Sequence, residues 1–118
     1  MCLNTLANYM KMNLGAELKA FTGEILNDAE GNKPLTFKDV AIIALVGTYG
    51  DEPNISGREK FERWELASKL YRSSTEEISL AVEEIAKIKE LVGKAFNVVV
   101  VGAMWSLLEG GSPDGLKQ

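Results

Sequence analysis

Three oxygen-bearing side chains alternate along one polar segment of the sequence: Asp28, Glu30 and Asn32. Such alternation beside a glycine is typical of the start of an EF-hand loop, whose carboxylate and amide oxygens bind calcium. That loop also needs a sixth-position glycine and a twelfth-position glutamate, but counting from Asp28 places Lys33 and Asp39 there. We therefore predict a plain polar turn, with no metal site and no cofactor. A divergent EF-hand-like calcium-binding module is kept as an alternative function.

Catalytic chemistry has few candidate groups in this chain. The 118 residues include no histidine and one cysteine, Cys2, which excludes serine–histidine and cysteine–histidine dyads. The adjacent carboxylates Glu83 and Glu84 suit the start of a solvent-exposed helix, where they complement the helix dipole. No glycine-rich segment is followed by the lysine and hydroxyl residue of a phosphate-binding loop. We therefore predict that the protein is not an enzyme and that no residue is catalytic.

Positive charges at Arg58, Lys60 and Arg63 are close enough in sequence to face a nucleic-acid groove together. Glutamates at positions 59, 62 and 65 alternate with them, and the formal net charge of the chain is −4. Because nucleic-acid affinity depends on clustered positive charge, the pattern favours an ordinary mixed-charge helix surface. We expect no nucleic-acid partner and keep a small nucleic-acid-binding regulator as a further alternative.

The aromatic residues give the best indication of a protein partner. Phe61, Trp64 and Tyr71 fall in one predicted helix, and Trp105 falls in another. The apolar positions of the first helix spread over an arc of about 220°, which is wide for a helix packed on one side. Aromatic side chains are enriched at protein interfaces. We expect these four residues either to pack in the core or to contact a protein partner or a second copy of the chain.

An uninterrupted apolar run over residues 40–46 supplies the element around which the others must be arranged. Thr36 and Asp39 have the spacing of a capping box, and Gly47 can end a helix, so the pattern predicts a helix over 37–47. The run is much shorter than the roughly 20 apolar residues that span a bilayer. A helix that is apolar all round has to be covered on most sides. We expect a buried central helix and no membrane contact.

Three further helices are predicted after the central one. Ser56 and Glu59 form a second capping-box pattern that predicts a helix over 57–72. A one-sided apolar pattern predicts a helix over 82–96. Asn97 can cap a helix over 98–109, with a strand at 98–101 as the alternative because β-branched valines favour strands.

Short strands are expected around these helices. Gly23 predicts a hairpin between residues 18–21 and 24–26, although the first helix could instead continue to residue 21. Residues 33–35 and 78–80 each lead into a predicted helix and would join two strand–helix units if they paired. The expected fold is mainly α with a minor β component: a compact bundle of about four helices with a short β-hairpin or paired short strands.

The domain organisation follows from these elements. We expect residues 1–13 to form an N-terminal arm or short helix, residues 14–109 a single globular domain, and residues 110–118 a flexible tail. The chain is 46% hydrophobic and 25% charged, which is ordinary for a soluble globular protein. A single cysteine favours a reducing, cytoplasmic location over a secreted one.

Residues from about 10 to 109 resemble a kind of small, uncharacterised accessory protein encoded by tailed bacteriophages and prophages. The segments that carry the resemblance are Gly-Asn-Lys-Pro-Leu-Thr (31–36), Ser-Gly-Arg-Glu-Lys-Phe (56–61) with Leu66-Ala67, Ile-Ala-Lys-Ile-Lys (85–89), Gly-Lys-Ala-Phe (93–96) and Val-Gly-Ala-Met-Trp (101–105). The resemblance implies a protein that acts in virion assembly or binds a host protein in the host cytoplasm, and it supplies no catalytic residues. From it and the aromatic pattern we expect a non-enzymatic protein-interaction module that can form oligomers.

Overall fold

The computed structural model describes residues 9–27, 31, 33–73 and 77–109. In chain order the elements are β1 (Tyr9–Asn13), α1 (Phe37–Val46), α2 (Gly57–Arg72), β2 (Glu77–Ala81), α3 (Val82–Ala95) and α4 (Val98–Leu108). The expected fold class, mainly helical with a minor strand pair, is confirmed.

Three of the helices begin at a polar cap, as their sequence patterns predict. Thr36 and Ser56 each accept a hydrogen bond from the backbone N–H three residues ahead, at 3.2 and 3.0 Å, and Asn97 does the same at 3.0 Å. These bonds satisfy backbone donors that have no partner inside the helix. Residues 98–101 are therefore helical, and the strand alternative for them is wrong.

Helix α1 packs against α2 and α3 and supplies the centre of the core. Val40, Ala41 and Ala44 have no exposed surface. Cover on most sides was expected for this helix, but Ile43 and Val46 remain 50% and 60% exposed. One side of the central helix is therefore open to solvent.

The strand pair differs from the expected one. β2 pairs antiparallel with β1, Met12 lying opposite Ile78 and Met10 opposite Leu80, so residues 78–80 do not pair with 33–35. Residues 9–13 are accordingly a strand and not an arm or short helix. Met12 is buried whereas Lys11 and Asn13 are exposed, which is the two-residue alternation of a strand with one face on the core. Residues 1–8 and the expected tail at 110–118 lie outside the described part of the chain.

A small meander of isolated bridges connects β1 to α1. Lys19 bridges Ile25, and the Gly23 N–H donates to the Ala20 C=O at 2.8 Å. Gly23 closes this turn with φ of 92°, a conformation that glycine adopts without steric cost. The hairpin interpretation of residues 18–26 is therefore confirmed over a continued helix. Leu35 joins the meander by accepting from the Leu18 N–H at 3.0 Å.

None of the helices in the described ranges is long and apolar enough to cross a bilayer.

Candidate protein-binding surface

Helix α2 presents Phe61, Trp64 and Tyr71 on one side, and these three residues are called the aromatic face below. Their side chains are 51%, 58% and 72% exposed. At 3.6 residues per turn the three positions fall within an arc of about 80°. The rings of Phe61 and Trp64 stack, with centroids 5.8 Å apart and an interplanar angle of 16°. The largest side chains of α2 are therefore arranged as a surface and not as core.

The opposite side of α2 explains why the aromatic residues stay outside. Leu66, Ala67 and Leu70 are buried, and they fill the contact with the rest of the domain. The wide apolar arc predicted for this helix thus divides into a narrow buried side and an exposed aromatic side. Tyr71 ends the aromatic face, and the ammonium group of Lys38 lies 5.5 Å from the centre of its ring.

Trp105, the fourth predicted contact residue, has a different environment. Its indole N–H donates to the Lys89 C=O at 3.2 Å, and the Lys89 ammonium lies 4.7 Å from its ring centre. A Cβ on Gly93 would lie 3.8 Å from the indole, an ordinary contact distance, so the ring lies directly against this part of α3. Only 37% of Trp105 is exposed. The structure therefore uses this tryptophan to pack α4 on α3 and does not join it to the aromatic face.

A groove of about 540 Å³ lies beside Trp64, between the end of α1 and the start of α2. Much of its lining is apolar, including Val46, Tyr49, Pro53 and Ile55. The hydroxyl of Tyr49 donates to the Ala44 C=O at 2.6 Å, and burial raises the pKa of this phenol. Sequence reasoning missed these groove residues because the pattern predicted only a loop after the central helix.

The loop that carries the groove is held by Glu52. Its two carboxylate oxygens accept hydrogen bonds from the two terminal nitrogens of Arg63, both at 2.9 Å, and one oxygen also accepts from Lys94 at 2.6 Å. Such paired bonds to a guanidinium fix orientation as well as distance. They lower the pKa of Glu52 to about 2, with the Arg63 bonds as the larger cause and Lys94 as the next.

Arg63 extends the network to α3. Its Nε donates to Glu59 at 2.8 Å, and Glu59 also accepts from Lys87 at 2.9 Å. The bonds from Lys87 and then Arg63 lower the pKa of Glu59. Bonds to Glu52 and Glu59 in turn raise the pKa of Arg63. One buried guanidinium therefore connects the groove loop, α2 and, through Glu59, the third helix.

This network bears on the nucleic-acid hypothesis. Arg63 is 7% exposed and both of its carboxylate partners are in place, so it does not face a groove as that hypothesis requires. Arg58 and Lys60 are exposed on the same helix. Of the three cations that the nucleic-acid hypothesis requires, two are therefore at the surface and one is buried.

The calcium hypothesis rests on residues 28, 30 and 32, which lie outside the described residues. Elsewhere, among the residues that the structure does describe, no three acidic or cysteine side chains converge in a way that could hold a metal ion.

Comparison with protein-family models, with curated proteins and with solved structures gives no match to this chain.

Proposed function

We propose that this protein is a non-enzymatic protein-interaction module whose contact surface is centred on Trp64. The observation that carries the proposal is the stacked pair of Phe61 and Trp64, each more than half exposed, beside an apolar groove. Exposed aromatic side chains that adjoin a pocket are the usual anchors of protein interfaces, because they bury large apolar areas on binding.

Two neighbouring features support this assignment. Val46 is 60% exposed and lines the same groove as Trp64, so the apolar surface continues from α2 onto α1. The bonds from Arg63 to Glu52 hold the groove loop before any partner arrives. A surface that is already ordered loses less conformational entropy on binding, which strengthens association.

We further propose that the module is a phage or prophage accessory protein, acting in virion assembly or on a host protein. The resemblance of residues 10–109 to such proteins supports this part of the proposal. The exposed aromatic face suits either role, since both require a protein partner or self-association.

The test is affinity capture with the tagged chain from lysate of cells carrying the source phage or prophage, followed by mass spectrometry. The wild-type chain is compared with Trp64→Ala and Phe61→Ala. Phe21→Ala is the matched control, because Phe21 is 91% exposed in the hairpin turn and is not part of α2.

We expect a protein retained in near-equal amount by the wild-type chain and by Phe21→Ala, and lost from both α2 variants. Retention of the same protein by all four chains would contradict the proposed surface. Absence of any stoichiometric partner, including a second copy of the chain, would contradict the proposed function.

A further inference from the structure

Four positions of α2 lie along one line on the side of its aromatic face: Gly57, Phe61, Trp64 and Ser68, called the seam below. Ser68 is half-buried and the other three are exposed. They are spaced by four, three and four residues, the spacing that forms the contact line between two packed helices. The two central positions are aromatic and the two outer ones are small. A Cβ at Gly57 would meet no atom within 4 Å, so this end of the seam is open.

Two opposite charges border the seam on the same edge. Arg58 and Glu65 are seven residues apart and therefore lie within about 20° of each other around the helix. Both are exposed, and neither forms an ion pair within the described part of the chain. Glu59, Arg63 and Lys69 of the same helix, by contrast, are all paired within the domain. Arg58 and Glu65 are therefore available to a partner, as are the exposed Lys60 and Arg72 of the same helix.

From this arrangement we infer that a second copy of this chain docks on the seam, with the two α2 helices antiparallel. Phe61 of each copy packs against the partner's Trp64, and Gly57 lies opposite the partner's Ser68. Two-fold symmetry then brings Arg58 beside the partner's Glu65 twice. The inference rests on the proposed function and specifies the partner of the aromatic face.

The charges on α2 decide between this antiparallel register and the one shifted by one heptad. A shift of one heptad would set Phe61 against the partner's Tyr71. The same shift would bring Arg58 near the partner's Arg72 and the two copies of Glu65 near each other. Like charges at such positions oppose association. The register with central Phe61–Trp64 contacts is therefore favoured.

A parallel pair is disfavoured by the helix dipoles. It would set Lys60 beside the partner's Glu65, but it would also align two helix dipoles with like ends together. The antiparallel pair opposes the two dipoles.

The test is sedimentation equilibrium of the full chain between about 5 and 500 μM. Four contact layers bury less than the standard interface of roughly 1,600 Å², so we expect a dissociation constant in the range of about 1–100 μM. Arg58→Glu should weaken the dimer at least about tenfold, because it replaces two attractive pairs by two repulsive ones. Glutamate at this position also suits the first turn of a helix, so the fold should persist.

The decisive variant is the double reversal Arg58→Glu with Glu65→Arg, which should restore dimerisation to within about threefold of the wild-type chain. Arg72→Glu is the matched control, since it makes the same charge change outside the proposed contact and should leave the dissociation constant unchanged. If Lys60→Glu with Glu65→Arg restores the dimer and the first pair does not, the antiparallel register is overturned.

A chain that stays monomeric over the whole range also overturns the inference. The proposed function would survive that result if a different protein were still captured through Trp64. A chain that neither dimerises nor captures another protein through Trp64 would refute both proposals. The two failures are therefore distinguishable.

Discussion

Arg63 and Glu52 face each other with two hydrogen bonds of 2.9 Å, one from each terminal guanidinium nitrogen, although they lie in a helix and in a loop. The guanidinium is buried and the carboxylate mostly so, with side-chain exposures of 8% and 12%. The contact holds the groove loop on α2. The loop conformation therefore depends mainly on Arg63, with one further bond from Lys94 to the same carboxylate.

Replacing Arg63 should therefore destabilise the domain. Arg63→Met removes the partner of two carboxylates while keeping an apolar stem, and we expect a loss of about 3 kcal/mol in the free energy of unfolding. Urea unfolding followed by circular dichroism measures this loss. Arg58→Met on the same helix is the control and should change the value by less than about 0.5 kcal/mol. Equal effects of the two variants would contradict the structural role of Arg63.

Acid should weaken the fold through Glu52. Its pKa is lowered from 4.5 to about 2 in the folded chain, so the unfolded chain binds protons more readily. The stabilisation is therefore complete above about pH 5 and is lost as the pH falls towards 2. Glu52→Gln should lower stability at pH 7 and flatten its decline between pH 5 and 2, measured by thermal unfolding.

Glu24→Gln is the control for this pH experiment, because the Glu24 carboxylate forms no ion pair with other described residues. It should leave the decline as steep as in the wild-type chain. An unchanged slope in Glu52→Gln would show that other groups cause the acid sensitivity.

The two tryptophans should respond differently to truncation. Trp105→Ala removes the packing of α4 on α3 and the bond to Lys89, so we expect a loss of about 2 kcal/mol in unfolding free energy. Trp64→Ala should cost less than about 0.5 kcal/mol, because an exposed ring contributes little to the isolated fold. Thermal unfolding of both variants measures the two losses of stability. A large loss of stability in Trp64→Ala would place that residue in the core.

Replacing glycine by alanine should change the stability of the domain in opposite directions at two sites. Gly23→Ala forces an L side chain into φ of 92° and should destabilise the domain by about 1 kcal/mol. Gly102→Ala lies inside α4 with open space around the new Cβ, so it should stabilise by roughly 0.5–1 kcal/mol. Chemical denaturation of the two variants measures both. A stabilising Gly23→Ala would contradict the turn conformation.

Local signals predicted the helices well. Thr36, Ser56 and Asn97 each cap a helix through a bond that spans three residues, so short sequence windows contain the information. The predicted starts coincide with the observed ones, and the ends differ by no more than one residue. The turn at Gly23 was predictable for the same reason.

Contacts between distant segments were not predictable. Leu3, Leu6 and Met10 are spaced as in a helix, and only pairing with β2 makes residues 9–13 a strand. The burial of Arg63 likewise depends on a carboxylate eleven residues earlier, in a loop with no regular pattern. Within the candidate site, the sequence pattern of α2 was enough to predict Phe61, Trp64 and Tyr71. Val46 and Tyr49 could be identified as groove residues only from the folded structure.

The pairing of β1 with β2 sets an order on folding during synthesis. The ribosome makes β1 before α1 and α2, but its partner strand follows both helices. Met10 therefore cannot pair with Leu80, nor Met12 with Ile78, until β2 has left the exit tunnel. Until then β1 has an unpaired edge, the kind of segment that chaperones or neighbouring chains bind during translation. The two-stranded pairing thus waits for α1 and α2 to be synthesised, and α3 and α4 follow it in the chain.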